Sequence, residues 1–147
     1  MIRLAEKSDI DALLPLIKGY WRYENFETFD TARLRRNLDW LFDHPDMGHI
    51  HLAIEEDHLV GYLLLVYTFS LEHAGLMADI DEFFIEDAYR GRKIGGRLLA
   101  AAETTARKAE CGSLMLQVSH HNRRAHDFYV RHGFYDRIGF ELLEKEL

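Results

Sequence analysis

Apolar residues recur along the chain at three- and four-residue steps in some segments and at alternate positions in others, which separates predicted helices from predicted strands. The helical spacing is clearest from Ile94, where leucines and alanines continue for about fifteen residues before Gly112. Three further helices are predicted: one after Ser8-Asp9 that ends near Gly19, one capped by Asp30 or Thr31 and stopped by Pro45, and one over 123–132 that ends at Gly133.

Short apolar or alternating runs fill the intervals between these helices and predict strands. The connections in the first half are too short for helical crossovers, so an antiparallel meander is predicted there. Strands and helices alternate from residue 94 on. The fold class expected is α/β: one domain over 1–147, with a mixed, mostly antiparallel sheet and helices on both faces. The predicted strands are 2–4, 51–55, 59–69, 77–85, 114–118, 134–135 and 140–142.

Composition narrows the class of protein. The 147 residues are 48% apolar and 29% charged, which is typical of a globular domain and not of a disordered chain. No apolar run approaches the ~18–20 residues that span a bilayer, and the first six residues lack the apolar core of a signal peptide. We therefore expect a cytoplasmic protein with no membrane partner. The one cysteine, Cys111, excludes an internal disulfide and is expected to be a small buried residue.

The net charge of −7 argues against a nucleic-acid partner, which would need a broad basic surface. The charge is uneven, however, because Arg90, Arg92, Lys93 and Arg97 fall within eight residues that contain no acid. A short basic cluster on an acidic protein predicts a small anionic ligand. The nine histidines fit no recognised ligand pattern, so no metal site is expected.

The basic cluster lies in a turn that leads from a predicted strand into a helix, where unpaired amides carry a partial positive charge. Gly91, Gly95 and Gly96 let a phosphate approach the backbone closely. The segment is not a nucleotide-binding P-loop, because Arg97 stands in place of its lysine and Leu98 in place of its hydroxyl residue. The pattern favours a pyrophosphate cradle, and the alternative is an ordinary glycine-containing turn before a surface helix.

Two segments, in order, carry a resemblance to a known family. The residues Arg90-Gly91-Arg92-Lys93-Ile94-Gly95 are similar to [QR]-x-x-G-x-[GA], the acyl-CoA pyrophosphate signature of the GNAT family of N-acetyltransferases. Residues 122–134, NRRAHDFYVRHGF, resemble that family's second signature, N-x-x-A-x-x-F-Y-x-x-x-G-F. Lys93 departs from the first pattern at a glycine position. The segment 81–85, DEFFI, is especially similar to the spermidine/spermine and thialysine acetyltransferase branch.

This resemblance implies acetyl-CoA as co-substrate, held between two central parallel strands that splay apart. Transfer would go directly to a primary amine, and the backbone N–H of Phe83 would stabilise the oxyanion. Whether Arg123-Arg124 meets the 3′-phosphate of CoA, and whether His120 contacts the acceptor, stay open. The implied cofactor-binding residues are Phe83, Phe84, Ile85, Arg90, Gly91, Arg92, Lys93, Ile94, Gly95, Gly96, Arg97, Asn122, Ala125 and Tyr129.

The resemblance also implies the catalytic groups. Tyr129 would protonate the leaving thiolate, and Asp81 would act as the base through a water molecule, with Glu82 or Asp79 as alternates. Because side chains alternate along a strand, Asp79, Asp81 and Phe83 are expected on one side and Glu82 on the other. A β-bulge would change which acid faces inward. The alternative is that these acids only cap or solvate the strand.

Tyr20, Tyr23 and Glu24 follow the first predicted helix and, together with Asp79, are expected to bind the acceptor. Aromatic and acidic side chains suit a small cationic amine, either a polyamine or a lysine-like compound. The alternative is that Tyr20, Trp21 and Tyr23 simply pack a corner between helices. Two other functions stay open: acetylation of a protein or peptide, and acyl-CoA binding without catalysis. A homodimer is left open as well.

Overall fold

The structure, a computed structural model, describes residues 1–26 and 28–147. The chain divides into two compact units, Met1–Gln117 and Val118–Leu147. The strands are β1 (Ile2–Leu4), β2 (Gly48–Glu55), β3 (His58–Ser70), β4 (Gly75–Ile85) and β5 (Leu114–Leu116). The helices are α1 (Ile10–Tyr23), α2 (Thr31–Asp43), α3 (Ile94–Lys108) and α4 (Arg123–Arg131). The assignment of all 147 residues to one acetyltransferase domain stays a prediction.

The first unit contains a five-stranded sheet in the order β1-β2-β3-β4-β5. Strands β1 to β4 form the predicted antiparallel meander, and β5 pairs in parallel with β4 from Ala78↔Leu114 to Ile80↔Leu116. The α/β class and the mixed, mostly antiparallel sheet are therefore confirmed.

Helices pack on both faces of this sheet. On one face, the apolar side of α1 and Leu38 of α2 bury Leu52 and Tyr62. On the other face, His51 Nε2 lies 2.9 Å from Thr105 Oγ1 of α3. Leu13, Leu63 and Leu98 are fully buried, and burying each such side chain stabilises the fold by roughly 1.5–3 kcal/mol. These contacts fix α1 and α3 against the central strands.

Helix α1 is longer than predicted, because Gly19 lies inside it and does not end it. The ring of Phe84 packs so closely over Gly19 that a Cβ there would lie 3.3 Å from two ring atoms. A residue whose spacing indicates a helix end is thus explained by a close contact with β4. In consequence, Tyr20 and Tyr23 belong to the last turn of α1 instead of following the helix.

Strand β4 contains a β-bulge at Asp81. Leu64 of β3 pairs with Glu82 and the next residue, Leu65, pairs with Ile80, so Asp81 is the extra residue. The bulge puts Asp79 and Glu82 on the face of the sheet that packs against α1, and Phe83 on the opposite face. The predicted simple alternation, with Glu82 opposite Asp79 and Phe83 beside it, is therefore wrong.

The second unit contains α4 and no strand in its described residues. The strands predicted at 134–135 and 140–142 are absent, and Tyr135, Ile138 and Phe140 are exposed. Alternating apolar residues form a strand only where a neighbouring strand completes the hydrogen-bond ladder. The sequence shows the alternation and does not show whether such a neighbour exists.

Candidate functional site

The carboxylate of Glu82 is held by donors from two other elements. Trp21 of α1 donates its indole N–H to Oε1 across 3.0 Å, and Tyr62 of β3 donates its hydroxyl to Oε2 across 2.7 Å. Partial burial raises the pKa of Glu82, the two hydrogen bonds lower it in part, and the charge of Asp81 raises it. Both oxygens of this acid are therefore engaged in fixed hydrogen bonds.

The other two acids of β4 are less constrained. Asp81 is exposed, and its side-chain carboxylate makes no hydrogen bond to the described part of the chain. The protein around Asp81 still desolvates its carboxyl enough to raise its pKa. Asp79 is half-buried, and its pKa is raised first by burial and then by the charge of Asp81. Three carboxyl groups thus share one short segment, each with a raised pKa.

Aromatic rings from the last turn of α1 and the residues after it pack against Trp21 and Tyr62, the two residues that hold Glu82. The ring of Tyr20 lies 6.5 Å from that of Tyr62 and 6.3 Å from that of Phe84. Trp21 packs edge-on against Phe26 and Phe29, at 5.8 and 5.4 Å between ring centroids. Trp21 therefore both packs the corner at the end of α1 and contacts Glu82 beside the bulge.

A cleft of about 230 Å³ lies between α1 and the end of β4. Tyr23, half exposed, stands at this cleft and carries the guanidinium of Arg90 over its ring at 4.9 Å. Glu24, the next residue, ends α1 and is half-buried. The cleft is lined by Pro15, Leu16, Gly19, Tyr23, Phe84, Glu86 and Asp87. Its apolar floor and two acids give the acceptor-side prediction for Tyr23 a physical setting.

The predicted cradle has an unusual backbone. Gly91 has φ +80° and Lys93 has φ +62°, so the lysine at the variant position of the signature adopts the left-handed conformation that favours glycine. Lys93 is also the N-cap of α3, and the amides from Ile94 to Gly96 have no acceptor within the helix. A Cβ built at Gly91 would meet nothing within 4 Å. This loop can accept a phosphate on its backbone amides.

The four basic side chains of the cluster differ in availability. Arg90 donates Nε–H to the carbonyl of Ile85 at 2.9 Å and pairs with Asp87 at 2.7 Å. Arg97 pairs with Glu55 of β2. Arg92 stacks over Tyr89 at 5.0 Å, whereas Lys93 is exposed and has no ion pair within the described residues. Lys93 is therefore the side chain of this cluster best placed to meet an anion.

Strand β4 extends beyond its parallel neighbour. The pairing with β5 stops at Ile80, while β4 continues through Phe83 and Phe84 to Ile85. This is the arrangement expected of central parallel strands that splay apart. The unpaired stretch of β4 has backbone groups to which the extended pantetheine arm of CoA could add hydrogen bonds.

The second signature forms the local structure of the second unit. Asn122 caps α4 by accepting the N–H of Ala125 at 3.1 Å. The ring of Tyr129 lies 5.3 Å from that of Phe128 and 5.5 Å from that of Phe134. Capping and ring packing account for these residue types in part, and the cofactor and catalytic roles of Asn122, Ala125 and Tyr129 stay predictions.

Trp21 and Tyr62 are the site residues that sequence reasoning missed. Trp21 lies in the aromatic stretch expected near the acceptor, with corner packing as the alternative, and no contact with Glu82 was predicted for it. Tyr62 lies in an apolar strand with no local signal. Their common partner, Glu82, lies 61 and 20 residues away along the chain, so spacing cannot connect them. Only the possibility of a β-bulge indicated that Glu82 could lie on the other face of β4.

Two negative findings concern the described residues. Among residues 1–26 and 28–147, no group of three or more His, Cys, Asp or Glu side chains is arranged to hold a metal ion. None of the helices in these ranges is long and apolar enough to cross a membrane. Cys111 is half-buried, and burial raises the pKa of its thiol.

Comparisons with known proteins agree with this geometry. The sequence profile of the Acetyltransferase (GNAT) family matches residues 10–134. An aminoalkylphosphonate N-acetyltransferase of Salmonella typhimurium is 33% identical over 134 residues, which cover 90% of this chain and 83% of that protein. A thialysine N-epsilon-acetyltransferase of Bos taurus is 27% identical over 92% of this chain and 84% of its own length.

A solved structure is similar over nearly the whole chain. The crystal structure of an integron cassette protein from the mobile metagenome of Cole Harbour Salt Marsh superposes with a TM-score of 0.88 at 27% identity. The match covers 99% of this chain and 90% of that one. These matches show that the chain belongs to the Acetyltransferase (GNAT) family and is an N-acetyltransferase with acetyl-CoA as co-substrate.

Proposed function

We propose that this enzyme transfers the acetyl group directly to the primary amine of a small cationic acceptor, such as a polyamine or a lysine-like compound. One observation carries the proposal: Asp79, Asp81 and Glu82 lie together in β4, beside the aromatic last turn of α1. Carboxylates and aromatic rings both attract ammonium groups. An acceptor with a second positive charge gains from this setting, and an anionic one is repelled.

The proposed base is Asp81, acting through a water molecule. An ammonium ion must lose a proton before its nitrogen can attack a thioester carbonyl. The oxygens of Asp81 make no hydrogen bond within the described chain, whereas both oxygens of Glu82 are engaged. The raised pKa of Asp81 also makes it a stronger base than an ordinary aspartate.

The remaining steps follow the resemblance. As the C–N bond forms, the backbone N–H of Phe83 would donate to the carbonyl oxygen, which becomes negative. The C–S bond then breaks, Tyr129 would give its proton to the CoA thiolate, and the second proton lost by the amine nitrogen would restore the phenol. The first amine proton, taken up through Asp81, leaves to solvent. Because the amine attacks the thioester directly, no acetyl group would be attached to the protein.

A second candidate acceptor is an aminoalkylphosphonate. It is supported by the relative named for that activity, which is 33% identical to this chain. A phosphonate would require an unpaired cation near the amine site. Arg90, the basic residue at the cleft, is already paired with Asp87 and bound to the carbonyl of Ile85. The three carboxyl groups of β4 therefore favour the cationic acceptor.

Release of CoA thiol from acetyl-CoA tests the proposal against a panel of acceptors. The panel contains spermidine, lysine, thialysine, an aminoalkylphosphonate, a lysine peptide and a peptide with a free N-terminus. We expect turnover with a small cationic amine, and a loss of about 10²-fold or more in Asp81→Asn. Turnover confined to the phosphonate or to peptides would contradict the acceptor class. Binding of acetyl-CoA without turnover of any cationic amine in the panel would also contradict the proposed acceptor class.

A further inference from the structure

Glu82 is built into the fold more firmly than a group that must exchange protons with a substrate needs to be. Its two oxygens accept hydrogen bonds from α1 and from β3, although it belongs to β4. Three elements of the first unit therefore meet at this one carboxylate. It follows Asp81, the bulged residue, directly in the sequence.

The bulge makes this arrangement necessary. An extra residue is left out of the ladder, so the strand itself does not fix its side chain. The residue after the bulge then determines where the ladder resumes, here at the pair Leu64↔Glu82. A side chain clamped at position 82 consequently fixes the backbone that carries Asp81.

We propose that Glu82 is a positioning residue, which Trp21 and Tyr62 clamp so that it fixes the bulge of β4 and aims the carboxylate of Asp81. This inference rests on the proposed function, because it takes Asp81 as the base. This positioning role replaces the role of alternate base that the sequence predicted for Glu82.

The clamp also connects the base to the acceptor side of the enzyme. Trp21 lies in the last turn of α1, between Tyr20 and Tyr23, the two residues expected to contact the acceptor. An acceptor bound at this turn would change the position of Trp21. Through the indole N–H, this change would reach Glu82 and then the carboxylate of Asp81. The groups that act on Glu82 are Asp81 from β4, Tyr62 from β3 and Trp21 from α1. Asp79 lies on the same face of β4, and Tyr20 of α1 lies near the Tyr62 ring.

Two substitutions of Glu82 separate positioning from proton transfer. Glutamine keeps the clamp, because its carbonyl accepts from Trp21 and its amide donates to the Tyr62 oxygen. Leucine removes the clamp. We expect Glu82→Leu to lower kcat by about 10²-fold with little change in the KM of acetyl-CoA, and Glu82→Gln to lose less than about tenfold. Glu82→Gln should also move the acidic limb of the kcat/KM profile to lower pH, since a negative charge beside Asp81 is lost.

Trp21→Phe tests the clamp from its other end, with Trp40→Phe as the matched control. Trp40 is the second of the two tryptophans and lies half exposed on α2. Trp21→Phe should lower kcat several-fold in the wild-type background and have no further effect when combined with Glu82→Leu. An effect of Trp21→Phe that persists in the Glu82→Leu background would show a packing role instead, and would overturn the proposal.

A spectroscopic measurement checks the clamp without any activity. In Trp40→Phe, the tryptophan emission, excited at a wavelength that tyrosine does not absorb, comes from Trp21 alone. We expect it to titrate in the acidic range as Glu82 takes up a proton, and the titration to vanish when Glu82→Gln is added. A Trp21 emission that is unaffected by Glu82→Gln would contradict the hydrogen bond in solution.

The outcomes keep this inference apart from the proposed function. If the wild-type enzyme acetylates cationic amines, but Glu82→Gln is inactive and Asp81→Asn is active, Glu82 is the base and the inference is overturned. If the wild-type enzyme acetylates none of the cationic amines, the proposed function itself fails, whatever the emission of Trp21 shows.

Discussion

Asp79 and Glu82 lie on the same face of β4, although they are three positions apart in the chain. In a regular strand they would point to opposite sides. The extra residue between them, Asp81, is the one that the ladder leaves unpaired. The bulge thus concentrates three carboxyl groups that a simple strand would distribute over two faces. The backbone position of Asp81 then depends on the pairing of its neighbours Ile80 and Glu82.

The conformation of Lys93 allows its charge and its backbone to be tested separately. Lys93→Ala and Lys93→Gly both remove the ammonium group, but only glycine relieves the φ of +62°. We expect both variants to weaken acetyl-CoA binding by several-fold, with a reduced salt dependence of Kd measured by calorimetry. Lys93→Gly should be about 1–2 kcal/mol more stable than Lys93→Ala in urea unfolding, because only glycine adopts the left-handed conformation without strain. Unchanged affinity in both would remove Lys93 from the phosphate site.

Tyr129→Phe tests the predicted acid. If the phenol protonates the leaving thiolate, kcat should fall by at least about 10²-fold, while acetyl-CoA affinity changes little. Steady-state kinetics and calorimetry on the same preparations give both quantities. Tyr135→Phe is the matched control, because Tyr135 is 83% exposed and lies in the same unit. A Tyr129→Phe enzyme that turns over like the wild type would leave the residue with a packing role alone.

The buried His51 makes the fold sensitive to acid. His51 is 2% exposed, and burial lowers its pKa from 6.5 to about 4, with a smaller contribution from His49. The folded state therefore favours the neutral ring, so this stability is fully present above pH 6.5 and is lost as pH falls toward 4. The loss amounts to about 3 kcal/mol of unfolding free energy.

Urea unfolding across that pH range measures this loss. His51→Leu should show a flatter dependence of unfolding free energy on pH between 6.5 and 4 than the wild type. His58→Gln, a change of an exposed histidine at the start of β3, should keep the wild-type slope. Equal slopes in His51→Leu and His58→Gln would mean that other groups cause the acid sensitivity.

Local signals in the sequence predict much of the fold correctly. Asp30 caps α2 by accepting the N–H of Arg33 at 3.0 Å, as its position before an amphipathic run predicts. The meander and the helix from Ile94 are also confirmed. These features depend on residues a few positions apart, which is why their patterns survive in a single sequence.

The features that the sequence did not predict depend on distant partners. Gly19 lies inside α1, where the ring of Phe84, far along the chain, packs so closely that a larger residue would crowd it. The clamp on Glu82 depends on Trp21 and Tyr62, and the absent strands after α4 depend on a neighbour that alternation alone does not supply. The roles of the cradle residues, a cytoplasmic location and a homodimer stay predictions.

The most direct test of the central claim compares two acceptors that differ at one end only. A linear diamine and an ω-aminoalkylphosphonate of equal chain length offer the same reacting amine, with a cation or an anion at the far end. With acetyl-CoA saturating, kcat/KM should be at least about tenfold higher for the diamine, and added salt should narrow the ratio. An equal or higher kcat/KM for the phosphonate would contradict the proposed cationic acceptor.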